Sequence, residues 1–562
     1  MTAQQARDVK RKPRVARGRP VDLKALEDVR SLLGEEPRRR DLLIEYLHKI
    51  QDAYHHIAAK HIVALAHEMK LSPVEVYEVA SFYHHFDVVK DGETPPPPLT
   101  IRVCESLSCE MNGARELLEA LRRGLGEAVR VIPAPCVGRC QYAPVAIVGR
   151  NPIDRATPEE VAAAAVETRS FEARVPDYTD YQSYLAKGGY DLLKGLMDGG
   201  RNPETVIAAM KDSGLRGLGG AGFPAGLKWE IVKKQPAPRY LAVNIDEGEP
   251  GTFKDRHYLE SDPHRFLEGM LVAAQVVGCE RVYIYLRDEY PACRRILQTE
   301  LDKLRQQPPV KAPLPPIELR RGAGAYICGE ESAMVESIEG KRGMPRLRPP
   351  YLAEVGLFGR PTLEHNMETL YWVRDIVEKG PEWFTSFGRH GRKGLRSFSV
   401  SGRVNKPGVH LAPAGITVRE LIDEYCGGML DGHEFYGYFP GGASGGILPA
   451  SMGDIPLDFD TLNSHGCFIG SAAVIVFSHH DKARDLALNA TRFFEDESCG
   501  QCTPCRVGTA KAATLMATGE WDRERLEDLC QVMADASICG LGQAAPNPIR
   551  CVFKYFPHEL EG

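Results

Sequence analysis

The sequence predicts a multidomain α/β protein that is helical at both ends. Three observations predict it. Strand and helix patterns alternate in two separate stretches, proline-rich or featureless breaks divide the segments, and residues 23–92 and 481–562 carry helical periodicity without strands. At about 150 residues per domain, 562 residues have room for roughly three to four cores.

Taken in order, residues 1–22 form a basic tail (Lys10, Arg11, Lys12, Arg14, Arg17, Arg19) with no apolar run behind it, so it is not a secretory signal. It reads as a solvated arm or, more sharply, as a clamp on a partner subunit or anion. Residues 23–92 read as a helical bundle. Asp22 is placed to cap LKALEDVRSLLG, and Ser72-Pro73 opens VEVYEVASFY. DGETPPPPLT is a stiff extended linker. Over 99–166, LTIRVCES, VRVIPAP and PVAIVG read as strands, and GARELLEALRRGLG and TPEEVAAAAVE as helices. Residues 167–185 read as a second linker, 186–395 as a larger α/β region, 396–480 as mainly β, and 481–562 as helical.

Composition excludes several classes. The net charge is −6, with 70 basic and 76 acidic residues, which disfavours nucleic-acid binding. The longest apolar runs, Phe266–Gly278 and Cys467–Phe477, fall short of the roughly 20 residues needed to span a bilayer. Fifteen cysteines in 562 residues are too few for a disulfide-stapled scaffold. A cytoplasmic protein is expected, in which thiols stay reduced and patterned cysteines mean metal or catalysis.

Eight cysteines are patterned. Cys104 and Cys109 follow one predicted strand, and Cys136 and Cys140 follow the next, so two loops at one sheet edge present four thiols. Four thiolates hold either a [2Fe–2S] cluster or tetrahedral zinc; the four- and three-residue spacings resemble ferredoxin-type loops more than zinc sites. ESCGQCTPC places Cys499, Cys502 and Cys505 at two-residue spacing, with Cys539 in SICGLG. Three closely spaced thiolates and one remote one are the general form of [4Fe–4S] ligation. The other seven read as small buried hydrophobes, Cys328 excepted because it lies in a functional-looking loop. Two clusters in one chain point to electron transfer.

A nucleotide site is also legible. SGLRGLGGAGFPAGLKWE contains G-x-G-x-x-G at Gly217, Gly219 and Gly222. A helical pattern precedes it, and Phe223-Pro224 and Gly226 argue against an immediate helix, so a Rossmann assignment is rejected. What remains is bare backbone able to approach a phosphate or flat ring, with Lys228 as a point charge. NIDEGEPGTFKDR clusters Asn244, Asp246, Glu247 and Glu249 after the strand YLAVN, either as a solvated turn or as acceptors for ribityl or ribose hydroxyls. GAGAYICGEE runs into a helix expected near Gly329, with Glu330 and Glu331 beside its N-terminus.

RGLGGAGFPAGLKW, DEGEPGTFKDR, GAGAYICGEE and ESCGQCTPCR, in this order, resemble the flavin- and NADH-binding subunit of respiratory complex I. The N-terminal 165 residues resemble that complex's thioredoxin-like [2Fe–2S] subunit. The same fusion occurs in diaphorase subunits of NAD-linked formate dehydrogenases and NAD-reducing hydrogenases. RDLLIEYLHKIQD, YIYLRDEYP and FPGGASGGILPASM most resemble the β subunit of the molybdenum- or tungsten-dependent formate dehydrogenases.

The resemblance implies a thioredoxin-like domain at 99–166, an FMN- and NAD-binding α/β domain at 186–395, a ubiquitin-like (soluble-ligand-binding β-grasp) domain at 396–480 and a helical [4Fe–4S] domain at 481–562. It implies FMN held by Gly217, Gly219, Gly220, Lys228, Asn244, Asp246, Tyr326, Gly329, Glu330 and Asn366. NAD(H) is implied near Phe223, with Glu249 on the nicotinamide side, Glu331 at its edge, and Arg348 and Tyr351 as basic and aromatic contacts. No side chain is expected to act as a nucleophile, because the chemistry belongs to the cofactors. His365 stands where the family has a paired Asn, which puts one flavin or phosphate contact in doubt. The implied partner is a molybdopterin formate dehydrogenase subunit carrying further iron–sulfur clusters; a nickel hydrogenase subunit and a complex I assembly are the alternatives. A structural zinc scaffold is the alternative of another class.

Overall fold

The computed structural model describes residues 19–167 and 173–561, so most of the predicted basic tail and part of the second linker lie outside the described residues. Arg19, at the tail's end, pairs with Asp91 at 2.6 Å on the surface.

Four helices, Leu23–Leu33, Leu43–Tyr54, Ala59–Met69 and Pro73–Phe82, open the chain. The Asp22 carboxylate accepts from Ala25 N–H at 2.9 Å, and Ser72 and Glu75 form a reciprocal capping box. These helices seat on the larger α/β domain. Tyr83 Oη donates to Ser337 Oγ at 2.8 Å, His48 Nε2 meets the Gly322 carbonyl at 2.8 Å, and Arg320 pairs with Asp41 at 2.6 Å.

The small α/β layer is a four-stranded sheet of β1 (Leu99–Cys104), β2 (Val129–Ala134), β3 (Val145–Val148) and β4 (Asn151–Asp154), in the order β2-β1-β3-β4. β1 and β2 are parallel with Cys104 opposite Ala134, so both cysteine loops leave one edge. β3 and β4 form an antiparallel hairpin. Pro152 and polar flanks had hidden β4 from the sequence pattern.

The larger domain is built on four parallel strands, β5 (Arg239–Ile245), β6 (Cys279–Leu286), β7 (Ile317–Arg321) and β8 (Thr362–Asn366), in the order β8-β5-β6-β7. From β5 the chain moves outward on one side through β6 and β7, then returns to add β8 on the other side. The crevice beyond the carboxyl ends of β5 and β8 is therefore a topological switch point, where open α/β sheets bind ligands. The apolar run at Phe266 belongs to the helix Pro263–Val277, thirteen of whose fifteen residues are buried. Each buried Leu, Met, Val or Phe contributes roughly 1.5–3 kcal/mol.

The sequence-based objection to a helix after the glycine loop is overturned. Helix Ala225–Lys233 starts directly at Pro224, its N-cap. Pro is tolerated at a helix start, and Gly226 lets this helix touch the backbone of Lys211. The preceding element, Pro203–Asp212, is helical as expected, so the Rossmann order of strand, glycine loop and helix is still not met.

The β-rich region is a five-stranded sheet of β9 (Leu395–Gly402), β10 (Gly408–Pro413), β11 (Phe435–Phe439), β12 (Leu448–Pro449) and β13 (Ala473–Ser478), in the order β10-β9-β13-β11-β12. The apolar run ending at Phe477 is central strand β13, all of it buried. Helices Ala483–Asp496, Thr503–Ala517, Arg523–Ala536 and Pro546–Tyr555 close the chain. Among the described residues, no helix is long and apolar enough to cross a membrane.

Candidate functional site

The switch-point crevice gathers the nucleotide residues expected from sequence. Asn244 and Asn366 are register partners at the ends of β5 and β8. Asn244 Nδ2 donates to the Gly329 carbonyl at 2.9 Å, which ties the first acidic loop to the third glycine loop. Asn366 Nδ2 donates to Asp255 at 2.6 Å, and its Oδ1 accepts from Glu368 N–H, capping the next helix. Gly219 lies so close to Asn366 that a Cβ would stand 2.9 Å from the Asn366 Cβ, so only glycine lets the loop sit at the strand end. Leu218 N–H donates to Thr369 Oγ1, and Gly217 N–H to the Phe223 carbonyl, fixing the Gly217–Gly220 backbone over the crevice.

Charge is distributed along this crevice. Lys228 Nζ meets both the carbonyl and carboxylate of Glu364 at 2.9 Å and lies 4.0 Å from Glu331. Burial alone would lower its ammonium pKa, but Glu364 and Glu331 hold it above the ordinary value. Glu330 caps the helix Glu331–Ile338 through Ser332 and Ala333 N–H groups and pairs with Arg348. Arg348 also reaches Glu331 at 3.0 Å. Phe223 and Tyr351 are 44% and 56% exposed, leaving two aromatic faces free for a planar ligand. Asp246 Oδ2 is shielded from solvent and has no hydrogen-bond partner among the described residues. Burial pushes this carboxyl well above its usual range. An orphaned, shielded carboxylate oxygen beside the Gly329 backbone, in a crevice that also holds Lys228 at its Glu364–Glu331 side, fits a polyhydroxyl, phosphate-bearing flavin.

The two neighbouring glutamates diverge. Glu249 accepts from Ser444 N–H at 2.7 Å, from Ser444 Oγ at 2.9 Å and from Tyr326 Oη. Asn547 of the last long helix holds the Ser444 carbonyl at 2.9 Å. Glu247, expected to face a cofactor, turns inward. Its oxygens accept from Asp255 and Arg256 N–H groups and from Tyr290 Oη at 2.8 Å, and at 7% exposure it secures the loop from inside, whereas Glu249 stays partly exposed. His365 also faces inward, as alternation along β8 requires, and accepts from Trp229 Nε1 at 2.7 Å. Cys328 is a buried thiol against Gly343, consistent with packing.

Both cysteine quartets converge as spaced. Cys104 contacts Cys109 and Cys136, and Cys136 Sγ lies 3.3 Å from Cys140 Sγ. Hydrogen bonds from Cys104 and Cys140 hold the Cys136 thiol well below the ordinary range, while its neighbours Cys104 and Cys140 are pushed up. Among the described residues, no three His, Cys, Asp or Glu side chains form a single-ion site. Four thiols arranged as linked pairs instead suit one pair per iron of a two-iron cluster. Cys499, Cys502, Cys505 and Cys539 line one cavity together with Ile327, Pro345, Ile538 and Leu541. Cys502 and Cys539 are N-caps of Thr503–Ala517 and Gly540–Ala544. Burial raises the Cys505 thiol to about 11 and the Cys539 thiol to about 12, and a positive cluster core would relieve that cost.

Sequence reasoning missed Glu364, Ser444 and Arg287. Glu364 sits in a strand with no local motif. Ser444 comes from another domain, and only the glycine richness of FPGGASGGILPASM marked its loop. Arg287 joins Cys136, Asp246, Gly248, Glu289, Tyr326 and Glu497 around a small cavity beside the first cysteine site.

Comparisons with known proteins agree with this arrangement. A family model described as the thioredoxin-like [2Fe-2S] ferredoxin matches residues 29–169, and the Nuo51 FMN-binding domain matches 210–375. The SLBB domain matches 397–448, and the NADH-ubiquinone oxidoreductase-F iron-sulfur binding region matches 485–562. An F-type subunit of the NADH-quinone oxidoreductase of Rhizobium meliloti is 41% identical over 69% of this chain and 94% of its own length. The corresponding F-type subunit of Aquifex aeolicus is 40% identical over 69% and 92%. The mitochondrial NADH dehydrogenase [ubiquinone] flavoprotein 1 of Dictyostelium discoideum is 39% identical over 68% and 84%. Among solved structures, the NAD+-reducing [NiFe]-hydrogenase in the H2-reduced state is similar over 93% of this chain and 94% of that one, with 32% identity and a TM-score of 0.81. The chain therefore belongs to the family of NADH-quinone oxidoreductase F-type flavoproteins, as an NADH-oxidising flavoprotein that uses FMN, NAD(H), a [2Fe–2S] and a [4Fe–4S] cluster and has a thioredoxin-like [2Fe–2S] domain in front.

Proposed function

We propose that the chain is the soluble, cytoplasmic diaphorase subunit of an NAD-linked formate dehydrogenase, joining a one-electron donor chain to the NAD+/NADH couple. The observation that carries the diaphorase reading is the convergence of both thiol quartets on the loops of one flavin crevice. Cys136 shares a cavity with Asp246, and Ile327 of the third glycine loop lines the cavity of Cys499, Cys502, Cys505 and Cys539.

FMN, when bound, exchanges a hydride with NAD(H) and single electrons with iron–sulfur clusters. The chain's own residues bind and orient it. The Gly217–Gly220 backbone and Lys228 suit its phosphate and ring, and Asn244 and Asp246 its hydroxyls. Gly329, Glu330, Tyr326 and Asn366 complete that wall. Phe223 and Tyr351 offer faces for NAD(H), with Arg348, Glu331 and Glu249 at its edge. Cys104, Cys109, Cys136 and Cys140 hold the smaller cluster, and Cys499, Cys502, Cys505 and Cys539 the larger. The proposed domain boundaries remain those read from the sequence.

The formate assignment is supported by RDLLIEYLHKIQD, YIYLRDEYP and FPGGASGGILPASM, and it implies a molybdopterin partner subunit. A hydrogenase diaphorase is the second reading, favoured by the likeness to the NAD+-reducing hydrogenase over 93% of the chain. Anaerobic purification of the native complex tests both, with an expected yield of one flavin and about six iron atoms per chain. Co-purifying molybdenum or tungsten with formate-dependent NAD+ reduction is the expected result; nickel with hydrogen-dependent reduction would overturn the formate assignment. A colourless protein containing zinc would overturn the diaphorase reading itself.

A further inference from the structure

The segment YIYLRDEYP is not absorbed by the crevice, yet its arginine lies between the two halves of the chain. Arg287 is 5% exposed. Its Nη2 donates to the Cys136 carbonyl at 2.7 Å, and its Nη1 donates to the Glu247 carbonyl. Its guanidinium is paired with Glu289 at 3.1 Å and lies over the Tyr290 ring, 5.1 Å from the centroid. A second buried arginine closes the circuit. Arg256 Nε donates to the Gly138 carbonyl at 2.9 Å, and its N–H is held by the Glu247 carboxylate, which also accepts from Tyr290. The loop Cys136–Cys140 is thus gripped at two carbonyls by arginines anchored on the flavin-side loop.

From this geometry we infer that Arg287 is a positioning residue for the [2Fe–2S] site: it locks the Cys136 loop to the Glu247 loop and keeps the cluster easier to reduce. This rests on the diaphorase reading given above. Reduction adds negative charge at the thiol quartet, and a buried cation one hydrogen bond from a ligand's carbonyl stabilises that charge. Without Arg287, Glu289, which lines the same cavity as Cys136, keeps His85 at 3.8 Å as its ion-pair partner among the described residues. Both changes make reduction harder. The fork also matters: a guanidinium reaches two carbonyls in fixed geometry, whereas an ammonium is a point charge.

The test is an EPR-monitored redox titration of the native complex carrying Arg287→Gln or Arg287→Lys. Arg287→Gln is expected to keep its flavin and both clusters, to shift the [2Fe–2S] midpoint to lower potential, and to leave the [4Fe–4S] midpoint in place. Arg287→Lys is expected to shift the same midpoint less. An unchanged [2Fe–2S] midpoint in Arg287→Gln, or equal shifts at both clusters, would overturn the inference. If Arg287→Gln does not assemble, Arg287→Lys decides: an unchanged midpoint there sinks the proposal and a selective downward shift supports it. Failure of the underlying reading looks different, because wild-type protein would then show neither flavin nor cluster signals.

Discussion

Cys104, Cys109, Cys136 and Cys140 are each 5% exposed or less, whereas Cys499, Cys502 and Cys539 are only half-buried. The first quartet is sealed by neighbours from other domains. Phe253 packs on Cys136 and Cys140, Arg256 and Arg287 hold the intervening loop, and Ser108 Oγ meets Ser401 Oγ at 2.8 Å. The second is built by two helix starts at the end of the chain and is walled on one side by Ile327. Equivalent ligand chemistry therefore sits in two electrostatic settings. Three thiols of the second site lie nearer the surface, with only Cys505 buried, at 5% exposure. The first site communicates through protein and depends on the interface around it.

The largest expected difference comes from removing one thiol at each site. Cys502→Ser should abolish donor-driven NAD+ reduction and the [4Fe–4S] signal while leaving the melting temperature within a few degrees. Cys136→Ser should lose the [2Fe–2S] signal and also melt distinctly lower, because it leaves a hydroxyl in a sealed, apolar-backed pocket. EPR and calorimetry on both variants check this, and equal melting shifts would erase the contrast.

The glycines of the two loops sharpen it next. A Cβ on Gly138 (φ +69°) would lie 2.1 Å from Tyr290 Oη, whereas one on Gly500 (φ +77°) finds only Arg506 Cδ at 3.9 Å. Gly138→Ala should therefore cost about 3 kcal/mol, from left-handed strain plus a clash, and Gly500→Ala about 1 kcal/mol from strain alone. Thermal unfolding of the two variants measures the gap.

A pH effect tests how the end of the expected linker, which folds instead as the helix Tyr181–Leu185, is fastened into the larger domain's core. Glu300 accepts from His264 Nε2 at 2.8 Å, from Tyr178 Oη at 2.7 Å and from Tyr181 N–H at 3.1 Å. Burial alone would raise its carboxyl, but hydrogen bonds from His264, Tyr178 and Lys303 outweigh it and hold it at about 2, below the ordinary 4.5. A depressed carboxylate contributes stability that is present above the unfolded value and lost as pH falls from about 4.5 toward 2. Amide exchange over residues 178–190 should accelerate across that window in the wild type and show a flat profile in Glu300→Gln.

The smallest expected effect separates the paired glutamates. Glu249→Ala should raise the KM for NADH several-fold with flavin content unchanged, since Glu249 is held by Ser444 and Tyr326 rather than tied into the Asp255–Tyr290 network that fixes the loop. Complete loss of flavin would count against a nicotinamide-side role.

Much of this was legible in the residues because it depends on short spacing. The two-residue steps from Cys499 to Cys505 and the shared edge of β1 and β2 limit which thiols can meet. Asn244, Asp246 and Gly219 carry their meaning in local loops. Other features were misread for the same reason. Glu247 has the same acidic neighbours as Glu249, but only the fold shows its oxygens turned toward Asp255 and Tyr290. The helix after Pro224 was doubted because Pro and Gly discourage helices locally, yet packing on Lys211 turns Gly226 into a contact.

By itself the sequence determined the chemistry: two four-thiol sites, a glycine-lined crevice for a nucleotide, and helical ends around α/β cores. Only the tertiary structure decided that these share one centre. Short spacings restrict a few torsions and so determine a local chelate, but the meetings of Cys136 with Arg287 and of Glu249 with Ser444 span 151 and 195 residues. Contacts at that separation exist only after several cores have packed, so no local pattern encodes them.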